Sequence, residues 1–535
     1  MIAPELLVWY VKVPLKRGWR QVPFAGHTIF RSAPRCKNPS KGSCHTMTMP
    51  ALSRREFILL SLQLLALTQL PGCRSSQPVL GRDPITSPLM VEDHCEALAH
   101  WAEKGIRDTV LINIDTHDDM RWIPEDRLDA LRSIHRNRDW QRFRGAAGLG
   151  DNGLYHIGNW IYAGGRLGIF REVYWVIPFE VLSMEDPDSK MRRFLKEYGF
   201  TDQEIQSFSL NGRQFRGTFH GVPLTLCDLK SLPDISSPLL LSIDTDFFPP
   251  YSTVHEKSYL PALHELFTAL YAKKYRIRDA VVSYSVNGDF LPPHLRWVGD
   301  TIGTVLEKPG MIEQEPTELL TLLQQVDNDY RGTDSAAMLR FIESWEARYP
   351  AASLQAYKAL AHTLRNDPES ALRAARESCA RDKRYCTLLP YIGTYYYSRG
   401  NYAVAEKFYL AGFAANPSMA NGLFQYGHCL RQTGRVREAI AWYEKDEAAN
   451  GPFPTRFLIA EMYLLLGDKK AATASLAKAV EGLEKNRYAE VVNNETARAI
   501  YAALDFCDRE GLRELASTLR KKPTVIRMFT AYPRK

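Results

Sequence analysis

The sequence predicts two folds in one chain, an α/β domain with a mainly parallel sheet followed by an all-α solenoid. Two observations lead to this prediction. From about residue 86 to residue 310, short apolar runs alternate with amphipathic helical patterns. After about residue 350 the strand signals stop and a sequence period near 34 residues begins. At 535 residues the chain is long enough for two or three domains, each with its own core.

The predicted strands are apolar on both faces. They lie at residues 109–115, 172–178, 222–228, 239–248 and 279–286, and helical patterns such as 260–274 lie between them. Strands of this kind, joined by helices, form a largely parallel sheet that is covered on both sides. Such sheets bind ligands at the carboxyl ends of their strands. Three of these runs end in aspartates, so we expect the functional site at that edge.

The period of the C-terminal part is carried by small residues and turn residues. Alanines recur at steps of 34, 34 and 33 residues, at Ala371, Ala405, Ala439 and Ala472. Turn residues keep step with them, at Asn366, Gly400, Gly434 and Gly467. Two more pairs are 34 residues apart, Gly393 with Gly427 and Tyr409 with Tyr443. A two-helix unit of this length resembles the tetratricopeptide repeat, with three good copies expected at about 386–485.

The basic charge of the chain is confined to its first residues. The formal net charge is +7, but residues 1–74 hold eleven Lys or Arg against two Glu. The remaining residues carry 57 basic and 59 acidic side chains. A nucleic-acid partner is therefore not expected, because such partners select a basic surface on the folded domain.

Residues 53–73 have the pattern of an export signal. Arg54 and Arg55 precede an apolar stretch that is too short to span a bilayer, and Cys73 follows it. The segment resembles a twin-arginine signal that ends in a lipobox, with Cys73 as the lipidated residue. It predicts a protein exported by the twin-arginine route and lipid-anchored to a bacterial membrane, facing the periplasm or the cell exterior. The alternative is a basic cap on an ordinary helix.

The predicted organisation follows from these segments. Met47 or Met49 is the expected start, because residues 1–46 have no place before such a signal. In chain order we predict an untranslated or disordered extension (1–46), the signal (47–73), a linker (74–86), the α/β domain (87–315), connecting helices (316–350), repeats (351–485) and capping helices (486–535). The nine cysteines specify no disulfide framework, although Cys379 and Cys386 are the nearest pair.

Carboxylates and imidazoles cluster at two of the predicted strand ends. If the chain stays extended, a side-chain period of two brings Asp115, His117 and Asp119 to one side and leaves Asp118 on the other. The same rule aligns Asp244 with Asp246. So many carboxylates in one place repel each other unless they bind cations. Mostly oxygen ligands, some imidazole and no thiolate favour two divalent metal ions, with Mn²⁺ as the best match.

These motifs carry a family resemblance. Residues 91–98, 113–120, 157–178 and 239–248 resemble the arginase-like ureohydrolase superfamily, in an uncharacterised branch that includes the peptide arginases. The resemblance covers about residues 86–310 and implies a three-layer arginase-like domain. It also implies two manganese ions held by six side chains: His94, Asp115, His117, Asp119, Asp244 and Asp246.

The resemblance implies hydrolysis of a guanidino group, possibly that of arginine in a peptide or protein. Two bound ions would lower the pKa of a bridging water, and the resulting hydroxide would attack the guanidinium carbon. His156 is a candidate general acid for the leaving amine, or else a packing histidine. Asp289 is placed to bind the guanidinium. The sequence does not reproduce the glutamate motif of the arginases or their clamps for a free amino acid. This argues against free arginine as the substrate and leaves a guanidino group on a larger molecule open.

The sequence also leaves other functions open. The apolar strand before Asp244 also fits a phosphatase, and the first ligand motif fits a metal-dependent deacetylase of the same fold. A third reading is not an enzyme at all. In that reading the chain is a membrane-anchored scaffold whose repeats bind a peptide or protein in their groove, beside a non-catalytic arginase-like domain.

Replacing both Arg54 and Arg55 with Lys should block delivery of the protein to the membrane, because the twin-arginine route requires the pair. The measurement is the amount of protein in the membrane fraction, with the pair Arg192 and Arg193 replaced by Lys as a control. Unchanged delivery of the Arg54→Lys, Arg55→Lys protein would reject this route.

Overall fold

The computed structural model describes residues 10–15, 18–23, 79–148, 153–198, 200–485 and 494–531. The predicted signal and Cys73 lie outside these residues, as does most of the linker. Within the predicted extension, strands β1 (Tyr10–Leu15) and β2 (Gly18–Pro23) form an antiparallel hairpin. The described residues from 79 onward form an α/β region followed by an all-helical region.

An eight-stranded sheet organises the α/β region, and it is mostly parallel as predicted. Its order is β3-β12-β11-β4-β7-β10-β9-β8, with β9 and β8 antiparallel at one end and all other pairs parallel. The strands are β3 (Leu89–Val91), β4 (Thr109–Ile114), β7 (Phe170–Val176), β8 (Ser209–Asn211), β9 (Gln214–Phe219), β10 (Val222–Cys227), β11 (Leu239–Asp244) and β12 (Ile277–Ser283). Two short strands, β5 (Ala147–Gly148) and β6 (Tyr155–His156), pair separately.

The chain reverses its direction of travel across the sheet between β4 and β11. From β4 it proceeds outward through β7 to β10, and it then returns to the other side of β4 to form β11 and β12. Ile114 and Ile243 are register partners at the ends of these two central strands. The residues that follow them, Asp115 and Asp244, therefore emerge side by side at the point where such sheets bind ligands.

Helices cover both faces of this sheet. Leu111, Trp175 and Leu240 belong to one hydrophobic core, whereas their neighbours Ile112 and Leu241 belong to another. Alternate side chains thus enter different layers, which explains the apolar runs in the sequence. The helices are α1 (Glu96–Glu103), α2 (Glu125–Arg136), α3 (Trp140–Gly145), α4 (Trp160–Arg166), α5 (Pro187–Glu197), α6 (Asp202–Gln206), α7 (Phe248–Val254), α8 (Tyr259–Lys273) and α9 (Arg296–Glu307).

All five predicted strands are present, but β3, β8 and β9 were not predicted. These three are short or carry exposed positions, so they lack a continuous apolar run. The predicted strand at 239–248 is too long, since β11 ends at Asp244 and residues 245–247 form a 3₁₀ turn.

The C-terminal region is built from antiparallel helix pairs. The described helices are α10 (Glu318–Arg331), α11 (Ser335–Trp345), α12 (Ala352–Leu364), α13 (Pro368–Arg381), α14 (Leu388–Ser398), α15 (Tyr402–Ala415), α16 (Leu423–Gln432), α17 (Val436–Asn450), α18 (Thr455–Leu465), α19 (Lys469–Lys485), α20 (Asn494–Arg509), α21 (Arg513–Arg520) and α22 (Pro523–Ala531). Four pairs, α12 to α19, follow the period of the sequence. The pair around Ala371, which lies outside the three good copies expected at about 386–485, is fully formed as α12 and α13.

The recurring residues of the period make recurring contacts. All four periodic alanines are fully buried. A Cβ placed on Gly393 would lie 2.9 Å from the Tyr409 ring, and one on Gly427 would lie 2.7 Å from the Tyr443 ring. The same contact is therefore made in two successive repeats: a tyrosine of the second helix packs on a glycine of the first helix. This explains why the glycines and the tyrosines each recur after 34 residues.

Two further features bear on the predictions for the leader and the cysteines. Cys379 and Cys386 form a disulfide. None of the helices within the described residues has the length and apolar character that crossing a bilayer requires.

The α/β region and the helical region share one hydrophobic core, which includes Leu266 and Trp297 together with Tyr357 and Tyr396. Polar contacts also cross the boundary. The Trp297 indole N–H donates to the Tyr357 hydroxyl at 3.2 Å. The Arg384 guanidinium bonds to Asp300 at 2.8 Å.

Gly427→Ala should destabilise the helical region by about 1–3 kcal/mol, because the added methyl group overlaps the buried ring of Tyr443. Gly310→Ala is the control, since a Cβ there meets no atom within 4 Å. Urea unfolding followed by circular dichroism measures both changes. Equal stability of the two variants would contradict the repeated glycine–tyrosine contact.

Candidate metal centre

The six side chains implied as metal ligands come together at the carboxyl edge of the sheet. Asp115, His117 and Asp119 follow β4, while Asp244 ends β11 and Asp246 follows it. His94 lies three residues beyond the end of β3. All are buried except His117, whose side chain is 32% exposed and marks the open side of the cluster.

The cluster divides into two groups that share Asp115. In the first group, His94 Nδ1 is 3.4 Å from Asp115 Oδ2, and His94 Nε2 is 3.3 Å from Asp119 Oδ2. In the second group, His117 Nδ1 is 2.8 Å from Asp246 Oδ2 and 3.7 Å from Asp115 Oδ1. Either group can supply three ligand atoms to one cation.

Asp244 joins the two groups from the other strand. Its Oδ2 contacts His94 Nδ1, and its Oδ1 accepts the backbone N–H of Asp246 at 3.0 Å. The Ser285 hydroxyl, two residues beyond the end of the adjacent strand β12, donates to the same Oδ2 at 2.6 Å and fixes the carboxylate.

The predicted reason for this convergence is wrong, although the residues it selected do meet. The chain does not stay extended after β4, which ends at Ile114. Instead, Asp115 Oδ1 accepts the His117 backbone N–H at 2.7 Å, and Asp119 has a positive φ of 50°. A turn, rather than a strand period, directs the three side chains inward.

Asp118 belongs to neither group, as the sequence indicated. It is buried, its Oδ1 accepts the Met120 backbone N–H at 3.4 Å, and the Arg121 side chain lies 3.7 Å from that oxygen. Burial raises the pKa of this carboxyl, with Arg121 opposing the shift.

Neighbouring hydrogen-bond donors hold the carboxylates of Asp115 and Asp119 in place. The Trp160 indole N–H donates to Asp119 Oδ2 at 2.8 Å, and the Asn113 amide donates to Asp115 Oδ2 at 3.2 Å. The Trp175 indole N–H bonds to the Asp115 carbonyl at 3.0 Å. Such supporting contacts orient ligand oxygens before any cation binds.

The side chains of the cluster are buried close together, and this shifts their pKa values in different directions. Burial opposes a charged His94, but Asp119 and Asp244 outweigh it and raise the pKa of that imidazole well above its usual value. Burial raises the pKa of Asp119 well above its usual range, and burial with Asp244 raises that of Asp246 to about 7. For Asp115 burial acts in the same direction, but His94 outweighs it and lowers the pKa.

These residues fit divalent cations. The donors are four carboxylates and two imidazoles, with no thiolate, a set suited to hard or borderline ions. His94 Nδ1 is buried, and one carboxylate oxygen of Asp115 and one of Asp244 lie beside it. Buried donor atoms that converge in this way can become ligands of a common cation.

His156 lies near this edge, at the end of β6, and is half-buried. Its Nδ1 accepts the Gly158 backbone N–H at 3.1 Å. Burial, together with Arg127 and Arg121, lowers the pKa of His156 to about 3. The imidazole is therefore neutral at neutral pH and does not carry the extra proton that a general acid donates. Its role as general acid stays a prediction.

Asp289 lies in the segment after β12, with a positive φ of 62° and an exposed side chain. The Asn421 amide donates to its Oδ1 at 2.8 Å. Desolvation of the carboxyl group by the surrounding protein raises its pKa to about 6, and the Asn421 hydrogen bond acts in the opposite direction. The next residue, Phe290, packs against the His117 ring with centroids 4.8 Å apart.

Sequence reasoning missed Asn421 and Ser285 as neighbours of the site. Ser285 could have been suspected, since it lies at the carboxyl end of the strand predicted at 279–286. Asn421 could not, because it belongs to the helical region and is 132 residues from Asp289 along the chain.

Comparison with known proteins identifies one repeat. Residues 420–445 match the family model described as tetratricopeptide repeat, and they cover α16 and the start of α17. The chain thus contains a tetratricopeptide repeat within its all-helical region. No curated protein sequence matches the chain.

Several solved structures are similar to parts of the chain. A structure of pilF from Pseudomonas aeruginosa aligns with 16% identity over 40% of this chain and 92% of its own, at a TM-score of 0.28. MamA aligns with 16% identity over 32% of this chain and 95% of its own, at a TM-score of 0.25. A thermophilic TPR protein from Thermus thermophilus aligns with 21% identity over 34% of this chain and 98% of its own, at a TM-score of 0.22.

Proposed function

We propose that the α/β region is an arginase-like hydrolase domain that binds two divalent cations and cleaves a guanidino group, with arginine in a peptide or protein as the substrate. One observation carries this proposal. Asp115 supplies ligand oxygens to two groups at once, His94 with Asp119 and His117 with Asp246. A shared carboxylate is the arrangement that holds two cations a few ångströms apart.

In this proposal, different residues of the chain would hold the cations and bind the substrate. Bound cations would supply a water of lowered pKa, available as a nucleophile near neutral pH. Trp160 and Ser285 hold the Asp119 and Asp244 carboxylates in orientation. Asp289, exposed and one residue from the Phe290 ring that packs on His117, would bind the guanidinium.

Manganese is the proposed metal. The oxygen-rich set of four carboxylates and two imidazoles matches the preference of Mn²⁺, and no cysteine is present in either group to select a softer ion.

A protein-interaction function is the second candidate, and the tetratricopeptide match at 420–445 supports it. Arrays of such repeats bind peptides and proteins on their concave face. The two functions are compatible, because the repeats would hold the partner that carries the reacting arginine.

We also propose that the protein is exported and anchored by lipid at Cys73. The disulfide between Cys379 and Cys386 supports export, since disulfides persist mainly in oxidising compartments.

Purified protein loaded with Mn²⁺ should release urea from an arginine-containing peptide. His117→Ala should lower this rate at least about 100-fold, because loss of a group that only supports a metal ligand already lowers activity by up to about that factor. Asp118→Asn is the matched control, because it alters a buried carboxylate of the same segment outside both groups. Urea is measured with the peptide and, separately, with free arginine.

Each outcome decides between the candidates. Urea from the peptide, kept in Asp118→Asn and lost in His117→Ala, supports the hydrolase. Bound metal without urea from either compound would reject the hydrolase and leave the interaction function.

A further inference from the structure

Residues 284–290, called the 284–290 loop, connect β12 to the next helical segment and border the candidate metal centre. At one point of this loop the Ser285 hydroxyl donates to Asp244 Oδ2 at 2.6 Å. At its end Phe290 packs on the ring of His117. The loop therefore contacts one side chain from each of the two central ligand segments.

The helical region contacts the same loop through two side chains. The Arg384 guanidinium donates to the Tyr284 hydroxyl at 2.9 Å, and Asn421 bonds further along the loop. The amide nitrogen of Asn421 is 3.3 Å from the Val286 carbonyl, 2.8 Å from the Asn287 carbonyl and 2.8 Å from Asp289 Oδ1. Asn421 is 7% exposed and lies between α15 and α16, at the start of the matched repeat. The two N–H groups of this buried amide face three acceptors of another region, the longest contact being shared, which makes a specific contact and not incidental packing.

The loop needs an external support of this kind. Ser285 and Asp289 both have positive φ, 50° and 62°, which side chains other than glycine seldom adopt. Such conformations persist only where neighbouring groups impose them, and they concentrate at functional sites. Asn421 bonds directly to Asp289 and to the two carbonyls between the strained residues.

We propose that Asn421 is a positioning residue for substrate binding: it fixes Asp289 so that this carboxylate meets the guanidinium of the substrate. The tetratricopeptide region thereby forms part of the substrate pocket. This inference rests on the proposed function, because it assigns the guanidinium contact to Asp289.

The bonding of Asp289 indicates the substrate class. Asn421 occupies Oδ1, and among the residues that the structure describes no donor bonds to Oδ2, which leaves that oxygen for a guanidinium N–H. The carboxylate is ionised at neutral pH, as such a contact requires. Because a peptide-binding type of repeat supplies the support, the arginine of a bound peptide fits this pocket better than free arginine does.

The experiment uses the full chain loaded with Mn²⁺ and one probe, an acetylated and amidated arginine tripeptide. Asn421→Ala removes the amide, and Asn421→Asp keeps its shape while placing a carboxylate against Asp289. Asn416→Ala is the matched control, because Asn416 lies in the same connection and bonds to Ser418. Urea release gives kcat and KM, and fluorescence anisotropy of the labelled peptide gives Kd.

Asn421→Ala should raise KM and Kd roughly 10- to 100-fold with kcat nearly unchanged, the effect of losing a hydrogen bond to a charged group. Asn421→Asp should weaken binding at least as much, and Asn416→Ala should match the wild type. Manganese content should be equal in all four proteins. A fall in kcat or in bound metal, without a change in KM or Kd, would overturn the inference, because it would indicate a structural role alone.

The inference and the proposed function fail differently. If the wild type releases urea and Asn421→Ala equals Asn416→Ala in KM, the inference is wrong and the hydrolase stands. If the wild type releases no urea, the proposed function is wrong, and the Kd values decide the inference. An unchanged Kd in Asn421→Ala then overturns it, and a weakened Kd supports Asn421 as a determinant of peptide binding.

Discussion

Like charge packed into a small, buried space is the constraint on which the site depends. Four aspartates and two histidines meet at the carboxyl ends of β4 and β11, where the chain order of the sheet reverses. Burial and mutual repulsion raise the pKa values of Asp119 and Asp246, whereas His94 outweighs burial at Asp115 and lowers its pKa. Trp160 and Ser285 keep the cluster oriented, so the fold is organised for positive charge at its centre. The two divalent cations of the proposed function would supply that charge.

The sequence was sufficient to find this cluster, but not to explain its geometry. Apolar runs identify β4 and β11, and the aspartates beside them identify the edge at which a parallel sheet binds ligands. The turn that directs Asp119 inward has a positive φ at that residue and depends on hydrogen bonds such as that of the His117 N–H. The alternation of side chains along a strand does not predict such a turn. The contact of Asn421 with Asp289 was inaccessible for another reason. It joins two regions whose relative packing is decided by a shared core and by no local pattern.

The helical region is a regular array of repeats that also bonds to the α/β region near the candidate site. Its period gives a regular array in which Tyr409 and Tyr443 repeat one contact with glycine, and this regularity explains why the repeat was visible in the sequence. The same region bonds to the α/β region through Arg384 and Asn421. If Asp289 binds the guanidinium as proposed, the repeats shape the site as well as offering a surface for a partner.

The sharing of Asp115 between two cations is tested most directly by counting bound manganese per chain after loading and dialysis. We expect two ions in the wild type, about one in Asp246→Ala, and none retained at comparable affinity in Asp115→Ala, because that variant removes a ligand from both groups. Asp118→Asn should keep two. Two ions retained by Asp115→Ala, or none bound by the wild type in excess Mn²⁺, would contradict the shared site.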